Sequence, residues 1–344
     1  MQARTEDPIS ALTKRGFDVQ YLSHAKSILT GEFLPQLEEL AGVLAKLSLP
    51  ITEIIGSGGG ETRFTQRTRN ALSQLGWRKH NFVIAKVIDG VQKEATSHEV
   101  DHVRTSALVG TIGCEIEWNN KDPFFDRDLE NFKRLHAEGA ISVGVIITRG
   151  SSLQAGLWDL VRRFATERRI TDFGALASLG VTPTPKQVRN IKQRVERMKG
   201  PVAFADAWTD NFVSSKFGAA TTHWEKLQAR VARGVGNPCP MLHIGLPASI
   251  VVFDDAQVEQ LDEESEGPTA GRQRTGRQCS GANGADTLAS RERSPHRPGF
   301  PTRPNQAARR ARRARETGQG CTTRSGRTVR RACGCARASS CRCS

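Results

Sequence analysis

"GCEIEWNNKDPFFDRDLENF", residues 113–132, sets two glutamates in an apolar stretch and follows them at once with a pattern of acids and one arginine. In a β-strand, residues i and i+2 project to the same face. Glu115 and Glu117 would therefore point one way, and Ile116 and Trp118 the other. Like charges side by side repel each other. A strand that keeps both glutamates is expected to have a positive group between them.

The hydrophobic pattern on both sides of this stretch predicts an α/β fold. Residues 124–138 repeat apolar side chains at helical spacing, and "ISVGVIIT", residues 141–148, is typical of a strand covered on both faces. Further helices are predicted at 35–47, 61–76, 152–165, 185–199 and 221–233, a β-rich segment with an Asp89-Gly90 turn at 80–103, and strands at 111–118 and 240–246. We predict one domain over residues 1–253, with a central mixed β-sheet flanked by helices.

The C-terminal segment, residues 254–344, has a different composition. An acidic stretch leads into residues 265–344, which hold 18 arginines, no lysine and four acids, so this segment accounts for the net charge of +14. Three large apolar side chains, Leu288, Phe300 and Val329, cannot offset the chain entropy of these 80 residues. We expect a disordered tail, which is either functional or a misread extension of the gene.

Cysteine usage predicts an intracellular, cytoplasmic protein. The first 264 residues contain Cys114 and Cys239, too few for a disulfide framework. The sequence shows no secretory signal and no run of 18 apolar residues, so neither secretion nor a membrane span is expected. The Cys333/Cys335 and Cys341/Cys343 pairs fit no common zinc spacing.

The glutamate pair has a third acid within reach. Asp101 lies on the preceding β-segment, 14 residues before Glu115. Carboxylates on adjacent strands are ligands that suit Mg²⁺, which would remove the repulsion and could lower the pKa of a bound water. The alternative is a solvated acidic face.

Several motifs together resemble one enzyme family. "SHEVDH" (97–102), "CEIEWNNKDPFFDRDLENFKRLHAEGAISVGVIITRG" (114–150), "KFGAATTHWEKL" (216–227) and "CPMLHIG" (239–245) are similar to the BglII/BstYI group of type II restriction endonucleases, within the PD-(D/E)xK nuclease fold. The resemblance covers roughly residues 20–247 and implies that Asp101 and Glu115 bind the metal. Position 117 departs from the wider fold, which has lysine there, and leaves the general base open. Glu117 is one candidate for it.

Two other patterns lie near this region. Glu61 follows the glycine loop "GSGGG" at the predicted start of a helix. An acid at this position is either simply stabilised by the helix dipole or approaches the metal, as in similar nucleases. The loop lacks the Gly-Lys-Ser/Thr of a nucleotide-binding P-loop. His98-Glu99-Val100-Asp101-His102 matches the zinc-protease motif, but that motif needs a helix and these surroundings are β-rich.

Three short segments are candidates for DNA contact, each with an ordinary structural alternative. Asparagine and lysine can bind base edges in the major groove. The candidate residues are Asn119, Asn120 and Lys121 after the glutamate strand, Arg149, Ser151 and Ser152 after the next strand, and Thr221, Thr222 and His223 before a later helix.

The resemblance and the acids together predict an Mg²⁺-dependent endonuclease acting on double-stranded DNA. Cutting both strands of a palindrome implies a homodimer, and the resemblance implies a GATC-centred hexamer. In-line attack of a metal-activated water on the phosphodiester would leave 5′-phosphate and 3′-hydroxyl ends. Two alternatives stay open. One is a repair or junction nuclease of the same fold, and the other is a non-catalytic DNA-binding protein.

Overall fold

The computed structural model describes residues 7–56, 61–106 and 110–253. Every structural statement below concerns these residues. The chain divides into two units, Met1–Gln273 and Arg274–Ser344, and all described residues belong to the first. The predicted disorder of residues 254–344 lies outside the described residues.

A six-stranded mixed sheet forms the centre of the described region. Its order is β1-β7-β6-β5-β4-β3, in which β5, β6 and β7 run parallel while β3–β4, β4–β5 and β1–β7 pair antiparallel. Its strands are β1 (Asp18–Leu22), β3 (Arg78–Ile88), β4 (Val91–Ser106), β5 (Gly110–Glu117), β6 (Val143–Arg149) and β7 (Met241–Leu246). A separate parallel pair joins β2 (Leu49–Pro50) to β8 (Val251–Val252).

Eleven α-helices lie in the described residues. They are α1 (Ser10–Lys14), α2 (Ala25–Gly31), α3 (Leu34–Ala45), α4 (Ile51–Ile55), α5 (Arg63–Gln74), α6 (Phe124–Ala137), α7 (Ser151–Glu167), α8 (Phe173–Ser178), α9 (Pro185–Val195), α10 (Phe204–Lys216) and α11 (Trp224–Val231), with a 3₁₀ turn at Ala248–Ile250. The predicted α/β fold with flanking helices is confirmed.

The sheet separates two hydrophobic cores. Ile112 and Cys114 of β5 and Trp118 just after it lie in the larger core, where the Trp118 ring is 5.2 Å from that of Phe64. The opposite face meets α6, whose Phe125, Leu129, Phe132 and Leu135 lie in the smaller core. The two faces follow the predicted alternation, so Glu115 and Glu117 lie on the α6 side.

Two glycines allow α6 to approach the sheet closely. Gly113 of β5 and Gly144 of β6 are paired neighbours under the ring of Phe132. A Cβ added at Gly144 would lie 2.6 Å from Phe132 Cδ2, closer than packed side chains approach. Phe132 therefore fixes the height of α6 above the strand that carries the glutamates.

The predicted elements are confirmed, with small shifts at their ends. The Asp89-Gly90 turn has φ values of 52° and 75°, the left-handed pair that a two-residue hairpin turn requires. Helix α5 begins at Arg63, after Thr62, whose Oγ1 accepts a hydrogen bond from the Thr65 N–H, so Glu61 precedes the helix. The sequence pattern did not predict the short helices α1, α2, α4 and α8, the helix α10, or the strands β1, β2 and β8. Strand β1 is five residues long and half-buried at the sheet edge.

No helix among the described residues is long and apolar enough to cross a membrane.

Candidate active site

Four side chains meet where β5 ends against α6. Glu115 is 6% exposed and Glu117 is 3% exposed, and both face the helix. Asp128, one turn before Phe132 on α6, is 2% exposed. Arg127 beside it donates from Nε to Asp128 Oδ1 at 2.7 Å, and its Nη2 lies 3.5 Å from Glu117 Oε1. We call Glu115, Glu117, Asp128 and Arg127 the acid cluster.

Negative charge is in excess in this cluster, and the pKa values reflect it. Burial, followed by the charge of Asp128, raises the pKa of Glu115 to about 9. The same two causes raise the pKa of Glu117 to about 8, against hydrogen bonding from Asn120. Burial likewise raises the pKa of Asp128. Buried carboxyl groups that share a site with a single counter-charge, here Arg127, retain protons at pH values where exposed carboxyl groups are ionised.

Asp101 lies next to the cluster but is more open to solvent. It sits where the β3–β4 register shifts, between the pairs Arg78–Val103 and His80–Val100. Its side chain is 52% exposed and its Oδ1 lies 3.5 Å from Lys79 Nζ. Its charge still raises the pKa of Glu115, whose carboxylate also accepts a hydrogen bond from the Asp101 backbone. Asp101 is thus adjacent to Glu115, as predicted, but engaged with a lysine.

Glu61 is not joined to the acid cluster by any recorded contact of the described residues. Its Oε2 lies 2.6 Å from Arg69 Nη1 on helix α5, and both side chains are substantially exposed. The structure gives Glu61 an ion pair across the start of α5, and its expected approach to a metal stays a prediction.

The zinc-protease pattern lies on strand β4, as its β-rich surroundings predicted. Lys79 bridges Glu99 at 2.7 Å and Asp101 at 3.5 Å, so the two acids share a face. His98 and His102 are buried away from them. Two histidines of a helical zinc site need one common face a turn apart, and β4 does not provide it.

The predicted DNA-facing segments come together beyond the ends of β5 and β6. Asn120 and Thr222 exchange two hydrogen bonds, from Thr222 N–H to Asn120 O at 2.9 Å and from Asn120 N–H to Thr222 Oγ1 at 3.1 Å. Lys121 and Thr221 form a β-bridge. Asn120 also donates from Nδ2 to Glu117 Oε2 at 2.8 Å, which connects these loops directly to the acid cluster. Asn120 and Lys121 are exposed.

Arg149 holds the two loops together from below. It is 0% exposed and lies between the rings of Trp118 and Phe217. Its Nη1 donates to Asn119 Oδ1 at 2.6 Å and its Nη2 to Thr221 Oγ1 at 2.7 Å. Burial lowers its pKa to about 9. The expected DNA contact is not available to Arg149 in this conformation, nor to the fully buried Thr222, since neither side chain reaches solvent.

The remaining candidates surround the start of α7. Ser151 donates its backbone N–H to Asp18 Oδ2 at 2.6 Å, and the Ser152 hydroxyl oxygen accepts from Ala248 N–H at 3.1 Å. His223 Nδ1 lies 2.6 Å from Glu225 Oε2. Burial raises the pKa of Glu225, but hydrogen bonds from its own backbone, His223 and Ser151 outweigh burial and lower it. Ser152 is exposed, and His223 is mostly covered.

The donor chemistry of the acid cluster fits a divalent cation, although the described side chains do not yet have the geometry of a complete binding site. Within residues 7–56, 61–106 and 110–253, no group of three His, Cys, Asp or Glu side chains is arranged to hold a metal. The buried Asp128 carboxyl, however, lies against that of Glu117, and the pKa values of Glu115 and Glu117 are both raised. Hard carboxylate oxygens with unneutralised charge are what Mg²⁺ binds.

Asp128 and Arg127 were missed in the sequence, although a signal for the first was present. Phe125, Leu129 and Phe132 define the buried face of α6, and Asp128 falls on that face. An acid on the apolar face of an amphipathic helix needs a partner. Arg127 carries no such signal, because its role depends on where α6 meets β5.

Comparison with known proteins gives one family. No curated protein matches the chain. The family model described as restriction endonuclease BglII/BglIII matches residues 17–246, which include every described member of the acid cluster and of the two loops. The chain belongs to the BglII/BglIII restriction endonuclease family.

Proposed function

We propose that this chain is a type II restriction endonuclease that hydrolyses double-stranded DNA at a short palindromic, GATC-centred site and leaves 5′-phosphate ends. Family membership supports a site-specific DNA endonuclease. The observation that carries the chemistry is the buried pair Glu115 and Glu117, at the end of β5 and hydrogen-bonded through Asn120 to two exposed loops. We further propose a homodimer acting in the cytoplasm, within a restriction-modification system.

Glu115 and Asp101 are the residues we propose as metal ligands. Mg²⁺ held there would supply positive charge that acidifies a water and lowers the pKa of the neighbouring carboxyls. The two residues already lie close together, since the Asp101 backbone donates a hydrogen bond to the Glu115 carboxylate. Metal binding requires Asp101 to exchange Lys79 for the cation, which its half-exposed position permits.

Glu117 is the residue we propose to accept the proton of the attacking water. Asn120 Nδ2 fixes one of its oxygens at 2.8 Å, so the carboxylate has a defined orientation. With a cation bound beside it, Glu117 would lose the proton that its raised pKa retains, and a base is most effective when its pKa lies near the working pH. The water oxygen forms a bond to phosphorus, the water proton passes to Glu117, and the bond from phosphorus to O3′ breaks. O3′ leaves with the electron pair and takes up a proton from solvent, which gives a 3′-hydroxyl and a 5′-phosphate.

The exposed loop residues are the ones we propose to contact DNA. Asn120, Lys121 and Ser152 are exposed, and Asn120 is hydrogen-bonded to Glu117 of the acid cluster. Asn119, Arg149, Thr221 and Thr222 hold these loops in place through the hydrogen bonds described above. His223 we assign to the same surface: Glu225 holds its ring, and Ser151 is hydrogen-bonded to Glu225.

Plasmid cleavage tests this function. The wild-type protein with Mg²⁺ should give discrete fragments, and EDTA should abolish them. Glu115→Ala should reduce cleavage by on the order of 10³-fold, since it removes a metal ligand, while specific DNA binding is retained. The matched control is Glu138→Ala, which removes an exposed acid at the end of α6. Diffuse nicking would favour a repair or junction nuclease, and binding without cleavage would favour a non-catalytic DNA-binding protein. Wild-type rates in Glu115→Ala would refute the site assignment.

A further inference from the structure

Arg127 is anchored at one end and open at the other. Its Nε and Nη2 both lie 2.7 Å from Asp128 Oδ1, and its guanidinium lies over the Phe124 ring at 4.5 Å from the centroid. The side chain is 52% exposed, whereas its partners Asp128 and Glu117 are 2% and 3% exposed. A buried carboxylate and an aromatic ring therefore hold a guanidinium at the surface of the acid cluster.

The geometry leaves part of this guanidinium for another anion. Arginine has five N–H donors in a planar fork. In the described part of the chain, the bonds to Asp128 use Nε and Nη2, and the approach to Glu117 also uses Nη2. The N–H groups of Nη1 remain for a ligand, and a phosphate oxygen is the acceptor that such a fork binds most strongly.

The acid cluster also needs fixed positive charge close to the reacting bond. DNA brings further negative charge to three buried acids, and charge on the phosphate oxygens must be stabilised as the water attacks. Position 117 is a glutamate and contributes no positive charge. The ion pairs recorded for Glu117 and Asp128 in the described residues both go to Arg127.

We propose that Arg127 is a catalytic residue whose guanidinium contacts the scissile phosphate, and that Asp128 is the positioning residue that holds it there. This rests on the proposed endonuclease function. Arg127 transfers no proton, since a guanidinium stays charged throughout the reaction. It binds a non-bridging oxygen and stabilises the charge that develops there. The proposal also explains why an acid stands on the buried face of α6: Asp128 fixes Arg127 from beneath.

The competing explanation is that Arg127 only neutralises Glu117 and Asp128 within the protein. Both explanations predict slower cleavage when Arg127 is removed, so a cleavage rate alone cannot separate them. They differ in whether the effect of Arg127 depends on the charge of the scissile phosphate.

The first measurement is single-turnover cleavage by Arg127→Ala, Arg127→Gln and Arg127→Lys, with folding checked by thermal melts. Loss of a preorganised charge donor should slow cleavage by about 10²–10³-fold. Arg127→Lys should recover part of the rate, because it restores charge without the fork. Arg134→Ala is the matched control, an exposed arginine two turns further along α6, and should cut within about twofold of wild type. If the alanine variant does not fold, the lysine and glutamine variants carry the comparison.

The deciding measurement uses a duplex with a neutral methylphosphonate in place of the scissile phosphate, at the site found by sequencing the ends of digested DNA. In EDTA, Arg127→Ala should bind the natural duplex about tenfold more weakly than wild type. The slope of log affinity against log salt concentration should become shallower by about 0.9, the value for one phosphate contact. On the methylphosphonate duplex the two proteins should bind equally. An equal loss of affinity on both duplexes would overturn the phosphate contact.

Asp128→Asn tests the positioning role. The Arg127→Ala/Asp128→Asn double variant should cleave no more slowly than Arg127→Ala alone, because Asp128 acts through Arg127. Additive losses would refute that role. The two levels of proposal fail separately. If the wild-type protein does not cut DNA with Mg²⁺, the endonuclease function falls. If it cuts and the Arg127 variants cut within twofold of it, only the role of Arg127 falls.

Discussion

Glu115 lowers the stability of the folded chain at neutral pH, a cost that fits the metal-binding role proposed for it. Its carboxyl group lies in a position where ionisation is opposed by burial and by Asp128, Asp101 and Glu117. In the unfolded chain the same group ionises freely near the ordinary glutamate pKa of 4.5. The folded protein without a cation therefore loses stability when Glu115 must be charged. Strain of this kind concentrates at active sites.

The pH dependence of the free energy of unfolding follows from the raised pKa of Glu115. Between the unfolded pKa of 4.5 and the folded pKa of about 9, folded Glu115 holds a proton that the unfolded chain has released, so its contribution to stability falls as pH rises through this window. We expect Glu115→Gln to raise the free energy of unfolding at pH 8 by on the order of a few kcal/mol in EDTA, and to change it little at pH 4.5. Denaturant melts from pH 4.5 to 8 would measure this.

Glu138→Gln, an exposed acid, serves as the control for that measurement. If the free energy of unfolding varied with pH in the same way in wild type and in Glu115→Gln, the raised pKa of Glu115 would be contradicted. Added Mg²⁺ should stabilise wild type and leave Glu115→Gln less affected, because a ligand that binds the folded state alone stabilises it.

At the scale of elements, the two loops beyond β5 and β6 act as one unit. Residues 119–121 and 220–222 are joined by a β-bridge, backbone hydrogen bonds and the buried guanidinium of Arg149. Asn120 belongs to both this unit and the acid cluster, through its bond to Glu117. Contact with DNA at the loops can therefore affect the orientation of the proposed base.

This arrangement predicts different results for two neighbouring substitutions. Asn120→Ala should reduce both the cleavage rate and the discrimination between the cognate site and single-base variants, by about 1–3 kcal/mol if it removes a bidentate hydrogen bond to a base. Lys121→Ala should weaken binding on every sequence alike if it contacts phosphate. Competition binding and single-turnover rates separate the two, with Lys133→Ala on α6 as the control. No change in either variant would return this loop to an ordinary polar turn.

How much the sequence could predict differs between elements and contacts. The alternation in β5, the apolar run of β6 and the Asp89-Gly90 turn are local patterns, and they predicted the sheet and the side of Glu115 and Glu117. Strand β1 is short and half-buried, so it carries no such pattern. The burial of Arg149 could not be predicted, because its partners Asn119 and Thr221 lie 30 and 72 residues away in the chain.

At the scale of the whole molecule, charge and site residues are separated along the chain. Residues 1–264 carry every candidate site residue and no net charge, while residues 265–344 carry 18 arginines. A chain ending at Glu264 should keep its cleavage site and its rate. It should bind nonspecific DNA more weakly, with a salt dependence that is shallower by about 0.9 for each phosphate that the arginines no longer neutralise.

Digestion of one plasmid by the full and shortened chains, followed by end sequencing, checks this. Both chains should cut at the same positions, because arginine contacts to phosphate carry no sequence information. A shortened chain that fails to fold or cuts elsewhere would make residues 265–344 a functional element.

Gly113 and Gly144 beneath Phe132 set how closely α6 can pack on the sheet. Any side chain at Gly144 would displace the Phe132 ring, and with it the α6 turn that carries Asp128 and Arg127. Catalytic groups must be held to within about 0.5 Å, and an error of about 1 Å can cost about 10²-fold in rate. A methyl group at Gly144 could be accommodated by a small outward shift of α6, and the fold would survive. The same shift would be enough to move Asp128 and Arg127 away from their positions beside Glu117. On the proposed function, Gly113 and Gly144, which have no chemistry of their own, would therefore influence the cleavage rate together with the acids of the cluster.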